Sequence, residues 1–170
     1  MTSDGRFDID YVDLLEFNLP LLRQPHHWTK PGSAPKELDE MQQRLAKADC
    51  FVLVSPEYNH SMPPALSNFL DHFGGVNYAY KPSAICTYSA GPFGGVRAGM
   101  QLRAMTGELG CLSVSFMFAA PQVQNSLDET GKPVGATGEL LVGQSKTVMK
   151  QLYWMGEAMK LQRERVGIPQ

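Results

Sequence analysis

Short apolar runs alternating with amphipathic stretches predict an α/β protein, with a parallel sheet carrying helices on both faces. Three observations carry that expectation. Cys50-Phe51-Val52-Leu53-Val54 and Ser83-Ala84-Ile85-Cys86-Thr87-Tyr88 are uninterrupted apolar runs. Helical patterns separate them, and loops rich in proline and glycine leave their carboxyl ends.

The elements follow in order. Phe7-Asp8-Ile9-Asp10-Tyr11-Val12-Asp13-Leu14-Leu15 alternates apolar and acidic residues, the period of a half-buried strand. Residues 18–35 make a connecting loop that carries Trp28. Residues 35–48 read as a helix: Pro35 suits a first turn, and Leu38, Met41, Leu45 and Ala48 share one stripe. The run at 50–54 is expected to be a strand buried on both faces. Residues 63–73 form a second helix, opened by Pro63-Pro64 and stopped by Gly74-Gly75. The run at 83–88 is a further strand. Residues 96–109 form a helix with Met100, Ala104 and Leu109 inward and Gly110 as its cap. Residues 112–118 are a fourth strand, 122–138 a polar loop, and about 139–165 a long final helix. With no internal repeat and no compositional break, residues 1–170 are expected to form one domain.

An apolar fraction of 43% and a charged fraction of 19% are ordinary for a globular chain. A formal charge of -2 gives no reason to expect nucleic acid or an anionic membrane as partner. The polar start carries no secretory signal, and no stretch approaches the roughly 20 apolar residues of a spanning helix. Cys50, Cys86 and Cys111 are too scattered for a disulfide framework or a zinc site. They suit a reducing compartment, so a cytoplasmic location is expected.

Open parallel sheets bind ligands beyond the carboxyl ends of their strands. Two strand ends here carry specialised loops, Ser55-Pro56-Glu57-Tyr58-Asn59-His60-Ser61 and Ser89-Ala90-Gly91-Pro92-Phe93-Gly94-Gly95. Both fall at the same edge of the sheet, so they face one cleft. The pattern suits a flat, polar-edged aromatic ligand. Pro56 presets a turn, Tyr58 and His60 offer planar faces, and Asn59 presents an amide. Glycines at 91, 94 and 95 let backbone approach a ring closely. Such a site tunes a flavin through backbone hydrogen bonds and needs no acid–base side chain of its own. Taken singly, each feature is ordinary: glycines and prolines after strands are usually turns, and a lone histidine is usually packed or solvated. The adjacent His26 and His27 make a poor metal pair, and Asp71 and His72 read as helix capping or solvated residues. The glycine spacing is neither a dinucleotide fingerprint nor a Walker loop.

Ser55-Pro56-Glu57-Tyr58-Asn59-His60-Ser61-Met62-Pro63-Pro64-Ala65-Leu66-Ser67-Asn68-Phe69-Leu70-Asp71 resembles the signature of the NADPH-dependent FMN reductase family, a flavodoxin-like group that includes quinone and azo-dye reductases. Lys81-Pro82, the loop at 89–95 and Gln101-Leu102-Arg103 match in the same order. The resemblance implies that Pro56, Glu57, Tyr58, Asn59 and His60 line one side of an FMN ring. Ser89, Gly91, Gly94 and Gly95 would contact its pyrimidine edge. It implies hydride transfer from NADPH or NADH to FMN and onward to a quinone, flavin or similar acceptor, in a homodimer or homotetramer. Arg97 and Arg103 are the candidates for a 2′-phosphate contact. Relative to the family pattern, the first strand, its phosphate-binding loop and the first helix are absent. The alternative implied by that departure is a non-catalytic, weakly flavin-binding relative acting as a partner or regulator.

Overall fold

The computed structural model describes residues 5–30 and 32–169; the first four residues of the polar start read at 1–10 lie outside them. The helices are α1 (Lys36–Lys47), α2 (Pro64–Phe73), α3 (Gly75–Tyr78), α4 (Val96–Glu108), α5 (Val123–Ser126) and α6 (Gly135–Val166). The strands are β1 (Phe51–Pro56), β2 (Ser83–Tyr88) and β3 (Phe118–Ala120), in the spatial order β1-β2-β3. Both pairings are parallel. Phe51 stands opposite Ser83 and Pro56 opposite Tyr88, while Cys86 stands opposite Phe118. This is the expected α/β architecture with a parallel sheet.

The apolar stripes explain the layers. Met41 and Leu45 of α1, Phe69 and Phe73 of α2 and Leu102 of α4 bury together with Ile85 of β2 on one face. Burial of each such side chain stabilises by about 1.5–3 kcal/mol. On the other face, Val148 and Leu152 of α6 pack against Ala84 and Val114. Buried Lys81 ties the first layer down by donating to the carbonyls of Leu45 and Ala46 at the end of α1, 2.9 Å each. Burial lowers its pKa to about 8. Asp49 anchors α6 through Lys160 at 2.8 Å and Arg163 at 2.7 Å. The cysteines are free; burial pushes Cys86 up to about 12 and Cys111 to about 11, and raises half-buried Cys50 as well. Among the described residues, no helix is long and apolar enough to cross a membrane.

The structure departs from the sequence reading in six places. Residues 7–15 form no strand. Their apolar residues serve separate surfaces: Phe7 packs edge-on against Tyr153 of α6, and Val12 and Leu14 reach the α1–α2 core. Arg44 holds Asp10 and the Tyr11 carbonyl between these contacts, so the segment wraps the molecule as a strap. Second, β1 is covered on one face only, leaving Val52 and Val54 exposed. Third, residues 112–118 make a single bridge, Ser83 with Ser113, before β3 begins at Phe118. In between, side chains satisfy the backbone: Arg103 donates to the carbonyls of Val114 and Ser115, and Gln151 accepts from the Phe116 N–H. Fourth, α4 turns Ala98, Gly99, Leu102 and Thr106 inward, whereas Met100 and Ala104 are exposed. A side chain at Gly99 would strike Met117, so the close approach of α4 to the sheet selects small residues. Fifth, α6 begins at Gly135, and α5 interrupts the loop before it. His72 is not solvated either: its buried ring sits 2.7 Å from the Asn68 carbonyl through Nδ1.

Candidate functional site

Because β1 and β2 run parallel and in register, their following loops leave side by side. The Glu57 N–H donates to the Tyr88 carbonyl at 3.2 Å, which extends the ladder one residue past the strand. The Glu57 carboxylate, with its side chain only 9% exposed, turns toward the start of α4. Its Oε2 accepts from the backbone N–H groups of Arg97 at 2.9 Å and Ala98 at 3.2 Å, and Oε1 lies 3.5 Å from the Arg97 guanidinium. A carboxylate is favoured at a helix N-terminus because it satisfies amides left without intrahelical acceptors and faces the positive end of the dipole. Glu57 is therefore committed to holding the loop against α4.

Past it, Tyr58 and Ser61 exchange backbone hydrogen bonds of 2.9 Å across a two-residue turn. Asn59 has φ 52° and His60 φ 63°. Two left-handed residues in succession are what a tight hairpin of this kind demands, and only glycine takes such values without steric cost. Gln101, on the turn of α4 above Arg97, grips this hairpin. Its Oε1 accepts from the Ser61 hydroxyl at 2.6 Å and the Met62 N–H at 3.4 Å, and its Nε2 donates to the His60 carbonyl at 3.2 Å.

The second loop is pressed onto the end of β2. The Thr87 hydroxyl donates to the Gly94 carbonyl at 2.7 Å. Gly94 and Gly95 have φ 63° and 79°, and a Cβ at Gly95 would lie 2.9 Å from Thr87 Cβ and 3.0 Å from the Tyr88 carbonyl oxygen. Gly91 differs: nothing lies within 4 Å of where its Cβ would be. Its carbonyl accepts from the Gln122 N–H and the Ser89 hydroxyl, tying the loop to the end of β3. The exposed Phe93 ring carries the Arg97 guanidinium 4.7 Å above its centre. At the β2 end, partial burial with Tyr58 nearby raises the pKa of the Tyr88 phenol.

Between the loops lies a cleft of about 320 Å³. Glu57, Asn59, His60, Ser89 and Gly91 line it, joined by Ala90, Phe93 and Arg97. Of the remaining sequence-predicted residues, Pro56, Gly94 and Gly95 shape the loops from behind, and Tyr58 projects into solvent. Arg103 is drawn away to the 114–115 carbonyls and is no part of the cleft. The sequence reading missed the roles of Phe93 and Gln101; the signal for Gln101 is its position four residues after Arg97, one turn along the same helix face.

A model of the NADPH-dependent FMN reductase family matches residues 1–125. The chain belongs to this family. Among similar proteins, a probable NADPH:quinone oxidoreductase 1 of Oryza sativa subsp. japonica is 30% identical over 159 residues, covering 92% of this chain and 77% of that protein. A 2-hydroxy-1,4-benzoquinone reductase of a Burkholderia species is 36% identical over 101 residues, covering 57% and 52% respectively. The quinone reductase of Escherichia coli K12 is 32% identical over 116 residues, covering 65% and 62%. The chain thus spans about half to three quarters of these relatives' lengths. In structure it resembles FerB, a flavoenzyme NAD(P)H:(acceptor) oxidoreductase from Paracoccus denitrificans, with a TM-score of 0.72 at 22% identity, covering 88% of this chain and 82% of that one. That likeness establishes the flavodoxin-like fold. The chain is accordingly an oxidoreductase of a family whose cofactors are FMN and NAD(P)H.

Proposed function

We propose that the cleft between the 56–61 and 89–95 loops holds the isoalloxazine ring of FMN, and that the chain reduces small quinones with electrons from NAD(P)H. The observation that carries this reading is the convergence of the two loops at one sheet edge in a chain of this family. The residues fit a flat ring. Gly94 and Gly95 form a bend that a Cβ would fill, and the cleft volume falls at the lower end of small-molecule sites. Bound FMN supplies the redox chemistry, taking a hydride from NAD(P)H and passing electrons to the acceptor. This chain's own residues bind and orient. Asn59 and His60 form one wall, Ser89 and Gly91 the other, and the Arg97–Phe93 pair stands at the mouth. Glu57 consumes the first amides of α4, and Arg97 is already engaged with Glu57. Those groups would therefore not be free for the FMN phosphate, which would draw on other donors. Each charge-assisted hydrogen bond it lacks costs roughly 1.5–3 kcal/mol, so affinity is sensitive to where those donors are found.

The exposed apolar residues Phe93 of the 89–95 loop and Val96 and Met100 of α4 support a homodimer or homotetramer. The three free thiols support a cytoplasmic location.

The test is a titration of the 170-residue chain with FMN, followed by quenching of flavin fluorescence at physiological salt. Saturation near or below micromolar is expected, with FMN-dependent NADPH oxidation on adding 1,4-benzoquinone. No saturation at tens of micromolar overturns the reading and puts the non-catalytic relative in its place.

A further inference from the structure

The cleft wall at residues 59–60 is held against its own conformational preference. Asn59 and His60 both occupy the left-handed region, and neither is glycine. Residues so placed persist only where the surroundings determine them. The backbone pair between Tyr58 and Ser61 closes the hairpin but leaves its second strand otherwise free of the sheet. Among the described residues, the side-chain hydrogen bonds that reach it from outside come from one amide, that of Gln101.

The amide is used at both ends. Its oxygen takes the Ser61 hydroxyl and the Met62 N–H, both donors, and its nitrogen gives to the His60 carbonyl, an acceptor. Neither glutamate nor a hydrophobic residue of similar size offers that pair of functions at neutral pH. The grip is also separate from the Glu57 contact, which fixes the other end of the loop one helical turn earlier.

We infer that Gln101 is a positioning residue that keeps the 59–60 turn left-handed and so sets the cleft wall against the ring the cleft accepts. It touches neither ring nor acceptor; it acts through the hairpin. The claim about the ring rests on the FMN reading above, whereas the claim about the turn does not.

The experiment compares the wild type with Gln101→Ala and Gln101→Glu. Gln101 is exposed and lies mid-helix, where alanine is the better helix former, so the variant folds and any effect reads the hairpin. The first readout is amide hydrogen exchange without flavin. Exchange at Tyr58 and Ser61 is expected to accelerate about tenfold in Gln101→Ala while Ile85 in the sheet is unchanged, as loss of the three exposed hydrogen bonds of Gln101 implies. The second is FMN affinity, expected to weaken about tenfold, with a shift in the visible spectrum of bound FMN and partial retention in Gln101→Glu, which keeps the acceptor end. The third is a cycle with Asn59→Gly/His60→Gly. Glycine takes the turn without strain, so the penalty of Gln101→Ala should fall to about threefold or less in that background. Unchanged exchange in Gln101→Ala overturns the inference, and so does faster exchange with unaltered FMN affinity and spectrum. Failure of the wild type to bind FMN instead removes the functional reading, and the exchange data then decide alone whether Gln101 holds the turn.

Discussion

Strands β1 and β2 are equally long, paired residue for residue, and similar in composition, yet they live in different surroundings. Every β2 residue from Ser83 to Thr87 is buried, with strands on both sides, α4 over one face and α6 over the other. Among the described residues, β1 has a strand on one side only. Phe51 and Leu53 turn toward the α1–α2 layer, whereas Val52 and Val54, on the face that α6 covers for β2 and β3, are 38% and 60% exposed. The burial of a strand is thus a property of its neighbours. An apolar run announces a strand without saying how many layers cover it.

The comparison can be sharpened by substitution, and the largest effect belongs to β2. Ile85→Ala, at 1% exposure, should destabilise by about 2–5 kcal/mol in chemical denaturation. A loss under 1 kcal/mol would mean that the sheet centre is no better packed than its rim. Next comes the loop pressed onto the end of β2. Gly95→Ala forces a Cβ into Thr87 and Tyr88 at a left-handed φ, and should cost about 1–3 kcal/mol as well as FMN affinity. Gly91→Ala meets open space and should leave the melting temperature within about a degree. Equal effects at the two positions would refute the packing account of the loop.

Lys81, which leads into β2, gives the comparison a pH axis. Its pKa is about 8 when folded, against 10.5 for an ordinary lysine. Between those values the unfolded chain binds the proton and the folded chain does not, so this group's contribution to stability rises with pH through that window and is flat below it. The stability of the wild type minus that of Lys81→Met should therefore increase from pH 8 to pH 10, as read by urea unfolding at each pH. A flat difference would show that the two carbonyls at the end of α1 offset the burial of the ammonium. The smallest change is expected at the exposed edge: Val54→Thr should alter stability by less than about 0.5 kcal/mol.

How far the molecule was legible follows the same division. The runs at 50–54 and 83–88, the stripe of α1 and the glycine stop of α2 act locally, and their patterns placed the elements within a few residues. The strap at residues 7–15 misled because alternation measures which side of a chain is wet, not whether it pairs; Phe7 and Val12 bury against different bodies. The face of α4 was misjudged for a related reason. Met100 and Ala104 were assigned inward, but the stripe that faces the sheet is Ala98, Gly99, Leu102 and Thr106, with Gly99 pressed against Met117 and Thr87, while Leu109 does pack on the core. At the cleft, Glu57, Asn59, His60, Ser89 and Gly91 were readable because the turn chemistry is written in adjacent residues. The grip of Gln101 was not, since its place one turn after Arg97 gives the helix face but not the partner, and Ser61 lies 40 residues away.

The thiols carry a last consequence. Quinones are Michael acceptors that arylate cysteine, and the attacking species is the thiolate. Cys86 and Cys111 are buried and held protonated well beyond neutral pH, and half-buried Cys50 is shifted in the same direction. On the quinone reduction proposed above, burial of these thiols would keep the chain's own sulfur out of the electrophile's reach. Durability during turnover is, on this view, a product of the same core that fixes the sheet.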